Sequence, residues 1–286
     1  MASKRFRLAI VQLAVRVSKS ENLARARDHV SNAAARGAKI VCLPEFFGFP
    51  CGIKNFHKYA EPIPGETSEC LSNVARDNNV YLVGGTMSER VDDKLYHTCL
   101  VYGPDGKMLA KHRKLHLFDV DIPGKMTVRE SEWFTAGDGL TAFETPYCKV
   151  GLGICYDIRF PEMASLYSQQ GCQLLCYPAA FSMATGPLHW ELTQRSRALD
   201  NQVYVASASP ATNKLAWYVA WGHSMLVDPM GNVVASAGAE EDVVFGDVDL
   251  DLLESMRNQL PTTRHKRSDL YDVVSINSAN CGHHAE

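Results

Sequence analysis

Three side chains of different chemistry close three apolar runs of this chain. Cys155 lies in VGLGICYDIRFPE, Glu45 closes IVCLPEFFGFP, and Lys114 ends the stretch KMLAKHRK. A thiol, a carboxylate and an ammonium are the parts of covalent acyl chemistry: a nucleophile, a proton carrier and a charge for a developing oxyanion. The ends of buried strands are where strand-then-helix folds leave side chains facing a crevice. Each of the three also has a structural reading. Free cysteine is among the most buried residue types, and Cys155 could be core filler. Glu45, between Pro44 and two phenylalanines, is costly to ionise unless a charged partner is near, and a structural lysine would serve. Lys114 follows Lys111, His112 and Arg113 and reads equally as part of a solvated basic run. Spacing by itself does not bring the three together.

The elements that must position them alternate along the chain. RFRLAIVQL reads as a first strand, with no cleavage site that would make it a signal peptide. Ser20 is expected to cap a helix running to Gly37, whose apolar face is Leu23, Ala26, Val30, Ala33 and Ala34. KIVCLP, a helix over Glu69 to Asn78, and VYLVGGT follow. YHTCLVYG and KMLAKHRK form a hairpin about Pro104-Asp105-Gly106, which brings antiparallel pairing into the sheet. Leu115 to Gly139 shows no period and is expected to be a functional loop. VGLGI is a strand, and Pro161 opens a helix over PEMASLYSQQG. QLLCYP, the helix GPLHWELTQRSRALDN, VYVASAS, the hairpin GHSMLVD/NVVASAG and VVFGDVDL complete the pattern. Gly151 and Gly153 let neighbouring backbone approach the thiol. These runs predict one layered α/β domain over 4–274 and a disordered tail over 275–286.

Composition narrows the function. With 286 residues, 46% hydrophobic and 21% charged, the chain has the make-up of an ordinary globular enzyme. A net charge of -3 offers no general attraction for nucleic acid. The one basic run, Arg264, Lys266 and Arg267 in RHKRSDLY, reads as a solvated or subunit-bridging segment. No uncharged apolar stretch is long enough to span a bilayer. Nine cysteines in scattered apolar contexts predict reduced thiols and a reducing compartment, the cytoplasm, with a mitochondrial pool left open. The ten histidines form no zinc pattern: HExxH and paired CxxC are both absent, and His283-His284 sit in a polar tail.

PEFF at Glu45, KHRKLHLFD at Lys114 and GICYDIRFPE at Cys155 resemble, in order and spacing, the three signature segments of the nitrilase superfamily of carbon–nitrogen hydrolases. The resemblance runs over roughly residues 5 to 274. It implies a four-layer α-β-β-α sandwich with mixed sheets, a Glu45-Lys114-Cys155 triad, and pairing of subunits through outer helices as a homodimer. It implies neither metal nor organic cofactor. Cys155 is then the nucleophile and Glu45 the base that takes its proton. Lys114 and the backbone N–H of Tyr156 stabilise the oxyanion, and a thioester forms and is hydrolysed. Glu130, a loop surface charge by its own context, corresponds to a second glutamate that supports the lysine. His112 and His116 are left structural.

Longer segments, among them HLFDVDIPGK, TGPLHWELTQRSRALDNQVYVASASPA and RHKRSDLY, resemble the omega-amidase branch. That branch hydrolyses the terminal amide of 2-oxoglutaramate and 2-oxosuccinamate, small monoamide carboxylates. A distal carboxylate calls for a cation, and Arg159 is the candidate, with a salt bridge to Asp157 or Glu162 as its structural alternative. Phe181, Thr185 and the pair Trp133-Phe134 are candidate pocket walls. Cys51 stands where that branch commonly has tyrosine, which removes a hydroxyl from the pocket. A deaminated-glutathione amidase, an N-carbamoyl amide hydrolase and a catalytically silent scaffold are the competing readings. The intact triad argues against the scaffold.

Overall fold

Apolar strands alternating with amphipathic helices build two mixed sheets laid face to face in the computed structural model, which describes residues 4–276. The first sheet holds β1 (Arg5–Gln12), β2 (Ala38–Cys42), β3 (Tyr81–Val83), β4 (Met87–Val91), β5 (Lys94–Tyr102) and β6 (Met108–Arg113). A separate hairpin follows, β7 (Asp119–Ile122) with β8 (Met126–Arg129). The second sheet takes β9 (Thr141–Glu144), β10 (Lys149–Leu152), β11 (Leu174–Pro178), β12 (Tyr204–Ala208), β13 (Met225–Val227) and β14 (Val233–Ser236). The chain then returns to the first sheet as β15 (Asp242–Asp249). Sheet orders are β15-β1-β2-β3-β5-β4, with β6 also on β5, and β14-β13-β12-β11-β10-β9. Strands β1, β2 and β3 pair in parallel, as do β10, β11 and β12.

Strand alternation decides what each face touches. Along β1, Leu8 and Ile10 join a core with Cys42, Val150 and Cys176, between the sheets. Ala9 and Val11 point the other way, into a core shared with Leu23, Val30, Leu71 and Val74. Those residues come from α1 (Lys19–Ala35) and, beyond the short α2 (Ile53–Lys58), from α3 (Glu66–Asn78). The thiols of Cys42 and Cys176 meet across the sheets at 3.6 Å. On the far side of the second sheet lie α4 (Pro161–Gln169) and α5 (Gly186–Asn201), and α6 (Leu250–Gln259) follows β15. The order of layers is therefore helix, sheet, sheet, helix, as the resemblance implies.

Three expectations need correction or completion. The cap of α1 is Ser18, not Ser20: Ser18 has extended backbone and its side chain accepts from the Glu21 N–H at 3.3 Å. Lys19, the first residue of the helix, lies 2.9 Å from both Glu61 and Glu66. The stretch from Leu115 to Gly139 is not a structureless loop. Pro123-Gly124, with Gly124 at φ +71°, turns β7 back onto β8. A 3-10 helix, Glu130–Glu132, follows. Elements β4, β9, α2 and α6 were not expected. Residues 277–286 of the expected tail lie outside the described residues. Among the described residues no helix is long and apolar enough to cross a membrane.

Candidate active site

Glu45 sits three residues beyond β2, in a turn whose shape is set by its neighbours. Phe46 has φ +47°, and its N–H donates to Thr86 Oγ1 at 2.8 Å. The turn can pass this close to Gly85 because a Cβ there would stand 2.3 Å from the Pro44 carbonyl oxygen. The Phe46 ring stacks on His97 with centroids 4.0 Å apart.

Alternation in the run Lys111-His112-Arg113-Lys114 resolves its two readings. Lys111 and Arg113 turn to one face and bind the buried carboxylate of Glu89, Lys111 at 2.9 Å and Arg113 through two bonds of 2.8 and 2.9 Å. Charge and hydrogen bonds outweigh burial there, holding Glu89 at about 2. His112 and Lys114 turn inward. The backbone of Lys114 is fixed at both ends, its N–H donating to His97 at 2.9 Å and its carbonyl accepting from Gly137 at 2.8 Å. Its Nζ lies 2.7 Å from Glu130 and 3.9 Å from Glu45. Burial opposes the charge on Lys114, but Glu130 and Glu45 together outweigh it and keep the ammonium above the ordinary lysine range.

Glu130 is buried, not a surface charge. The Phe118 N–H donates to its Oε2 at 2.6 Å and His97 Nδ1 lies 3.1 Å from its Oε1. Burial would raise its carboxyl, yet the charge of Lys114 and the bond from His97 hold it at about 2. His97 itself is pushed down to about 4, first by burial, and is therefore neutral at pH 7. A neutral ring that donates from Nδ1 to Glu130 must accept at Nε2, where the Thr86 hydroxyl stands at 2.8 Å. His97 Nε2 is also 3.7 Å from Glu45 Oε1, a contact without ionic character in this protonation state.

Cys155 follows β10 by three residues and opens the 3-10 helix Cys155–Arg159 with φ +47°. Such backbone is sparsely populated outside glycine, and several hydrogen bonds to neighbouring residues hold it. Asp157, fully buried, accepts from the Ile154 N–H at 2.9 Å and the His116 N–H at 2.9 Å. Its other contacts are His116 Nδ1 at 2.8 Å and His112 Nε2 at 3.3 Å. Though burial would raise the Asp157 carboxyl, the two histidines outweigh it and keep it below its ordinary value. From the opposite side Arg197, on α5, donates to the carbonyls of Ile158 at 2.8 Å and Arg159 at 3.1 Å. Gly153 completes the bend, since a Cβ there would meet the Tyr177 ring at 2.4 Å. His112 and His116 thus hold the bend, in keeping with their structural reading.

Glu45, Lys114, Glu130 and Cys155 line one narrow cavity with Phe46, Cys51, Phe118, Trp133, Trp217 and Tyr218 among its walls. Cys155 Sγ points at the Ala180 carbonyl at 3.8 Å and shares a hydrogen bond with Glu45. Burial and the negative charge of Glu45 push the thiol well up, so it is protonated at rest. Burial also lifts Glu45 to about 7, against the pull of Lys114. A carboxyl poised there, bonded to a thiol, can take a proton and return it near neutral pH.

Other candidates fall elsewhere. Arg159 pairs with neither Asp157 nor Glu162 among the described residues. Its Nη1 lies 3.2 Å from His189 Nδ1, and its guanidinium sits 4.5 Å over the Phe181 ring. Phe181 packs edge-on against Trp190, and Thr185 precedes α5. The cavity lining includes none of these three, though it includes Ala180, the neighbour of Phe181. Trp133 is a wall, while Phe134 is buried against Phe56 and His97. Tyr156 follows Cys155, its ring against Phe118 and Phe160. Sequence reading did not single out His97, Tyr218 or Asp157 as a holder of the bend. Only Asp157 left a local trace, an acceptor three residues after the backbone N–H it caps. Among the described residues no group of three or more His, Cys, Asp or Glu is placed to hold a metal ion.

Comparison with known proteins points the same way. The family described as carbon-nitrogen hydrolase matches residues 7–258. The omega-amidase NIT2 of Xenopus tropicalis is 59% identical over 269 residues, covering 94% of this chain and 98% of that protein. The omega-amidase NIT2 of Homo sapiens is 58% identical over 268 residues, covering 94% and 97%. Among solved structures, Saccharomyces cerevisiae Nit3, a member of branch 10 of the nitrilase superfamily, superposes with a TM-score of 0.84 at 41% identity over 92% of this chain and 96% of that one. The C. elegans NitFhit protein gives 0.87 at 35% identity, over 96% and 68%.

Proposed function

Because the chain belongs to the carbon-nitrogen hydrolase family, we propose that it is an omega-amidase acting on 2-oxoglutaramate and 2-oxosuccinamate. The observation that carries this reading is the convergence of Glu45, Lys114 and Cys155, from three distant segments, on one cavity. In the proposed reaction Glu45 takes the Cys155 proton as sulfur attacks the amide carbon. Lys114 and the Tyr156 N–H receive the charge that develops on oxygen. Glu45 then gives its proton to the leaving nitrogen, ammonia departs, and a thioester to Cys155 remains. Water, deprotonated by the same carboxylate, releases the acid. Glu130 keeps Lys114 charged and in place. No cofactor takes part in this scheme.

The distal carboxylate of such a substrate requires a cation. Lys114 is the cation of the cavity lining and already faces two carboxylates; Arg159, outside that lining beside Phe181 and Thr185, would serve as the anchor only by turning from His189 toward the substrate. Cys51, on the cavity wall, supplies a thiol in place of a phenol. We take residues 4–274 as one catalytic domain because both sheets contribute to one core. The exposed Leu188, Leu192 and Leu199 on α5 support a homodimer paired through outer helices. The free thiols at Cys51, Cys70 and Cys155, among others, support the cytoplasm as its compartment.

An ammonia-release panel tests the assignment, with 2-oxoglutaramate, deaminated glutathione and an N-carbamoyl amine as substrates. Preference for the first is the expected result; preference for either other compound transfers the assignment to it, and silence on all three favours a scaffold. Cys155→Ala should abolish turnover with the fold intact, and steady hydrolysis by that variant would refute the thioester route.

A further inference from the structure

Glu45 lines two spaces. One is the cavity shared with Lys114, Glu130 and Cys155. A second space touches Glu45 but neither Lys114 nor Cys155. Phe46, Cys51, Ala180 and Tyr218 line both, so the two spaces adjoin. Tyr218 is fixed there by its hydroxyl, which donates to the Ala180 carbonyl. The adjoining residues divide accordingly: Trp217 faces the first space and Ala216 the second. The second space is walled mainly by carbon, from Val15, Pro50, Ala211, Ala216 and Ala220, with Asn213 near its mouth. Asn213 is exposed and Val15 and Ala216 are half-buried, so these residues form its outer rim.

The proposed chemistry orients an amide between these spaces. Its carbonyl oxygen must face Lys114, its carbon must face Cys155, and its nitrogen must face Glu45, which protonates it. A substituent on that nitrogen is then directed away from Lys114 and Cys155, and the second space is lined by Glu45 without either of them. We infer that this space is a subsite for a small apolar N-substituent, so the enzyme also cleaves N-alkyl amides and releases the alkylamine. The inference rests on the amidase reading above and extends it to the leaving group. The step balances with water alone. The C–N bond breaks as the Cys155 thioester forms, and the thiol proton passes through Glu45 to the departing amine. Water then cleaves the thioester to carboxylate and restores the thiol.

Succinamate and its N-ethyl counterpart are the probes, with ammonia and ethylamine measured separately. Wild type should release ethylamine. Ala216→Leu and Val15→Phe, which fill the second space from its half-buried rim, should lower kcat/KM for the N-ethyl amide by about tenfold or more while changing succinamate less than about twofold. Thermal melting of both variants checks that each is folded, and two variants from separate segments of the chain guard against a fault in either. No ethylamine from wild type, or equal losses on both amides, would overturn the subsite. Loss of ammonia release from primary amides in wild type would instead remove the amidase reading.

Discussion

Replacing Glu130 by glutamine tests the electrostatics of the site most directly, because it removes one charge and keeps the shape. The carboxyl of Glu130 falls from 4.5 to about 2 in the folded chain, which corresponds to about 3 kcal/mol of preference for the ionised form. Its folded value lies below its unfolded one, so this contribution is complete above pH 4.5 and is lost as pH falls toward 2. Glu45 has the opposite sign. Its folded value is raised to about 7, so it favours folding at low pH and that contribution is lost as pH rises from 4.5 through 7. Glu130→Gln should therefore cost about 3 kcal/mol at pH 7, the range expected when one partner of a buried ion pair is removed. The difference from wild type should shrink below pH 4.5. Glu130 also raises Glu45 by repulsion, so the acidic limb of kcat/KM against pH should move to lower pH in the variant. Urea unfolding at several pH values and a pH–rate profile measure the two effects. A loss below about 1 kcal/mol at pH 7, within the range of an exposed pair, or an acidic limb that stays or moves upward, would refute the reasoning.

Two further substitutions probe the bend that carries the thiol. Asp157→Ala leaves buried donors from Ile154, His112 and His116 without their acceptor and should destabilise the fold by about 3–5 kcal/mol; denaturant titration showing under about 1 kcal/mol would contradict that. Gly153→Ala forces a methyl against the Tyr177 ring, at a cost of about 1–3 kcal/mol, and should slow alkylation of Cys155 as the bend shifts. An unchanged Tm and an unchanged alkylation rate would show that the bend has room to spare.

Elements with a strong apolar period were legible in the residues, and those whose burial depends on a distant partner were not. Strand β1, the β5–β6 hairpin and α5 follow from their own patterns. Strand β4 escaped notice because Ser88 and Glu89 are polar yet buried. Glu89 is tolerable there only because Lys111, Arg113 and Thr98 surround it. The same holds for the site. Glu45 and Cys155 stand out at the ends of apolar runs. Lys114 looked solvated because its neighbours carry charge, and strand alternation sends them to another face. His97 lies in mid-strand, bound to Thr86 11 residues before it and Glu130 33 residues after it. Nothing local marks it.

The pairing of β1 with β15 has a consequence for how the polypeptide matures. Strand β1 sits between β2 and β15, eight residue pairs joining it to the latter. Until Asp242–Asp249 has been translated, one side of that strand is an unpaired row of amides and carbonyls. The sheet that supports Glu45 and Lys114 is therefore completed only after every other strand of both sheets has been made. Closure across so long a separation makes folding slow and leaves the incomplete chain prone to sticking to its neighbours.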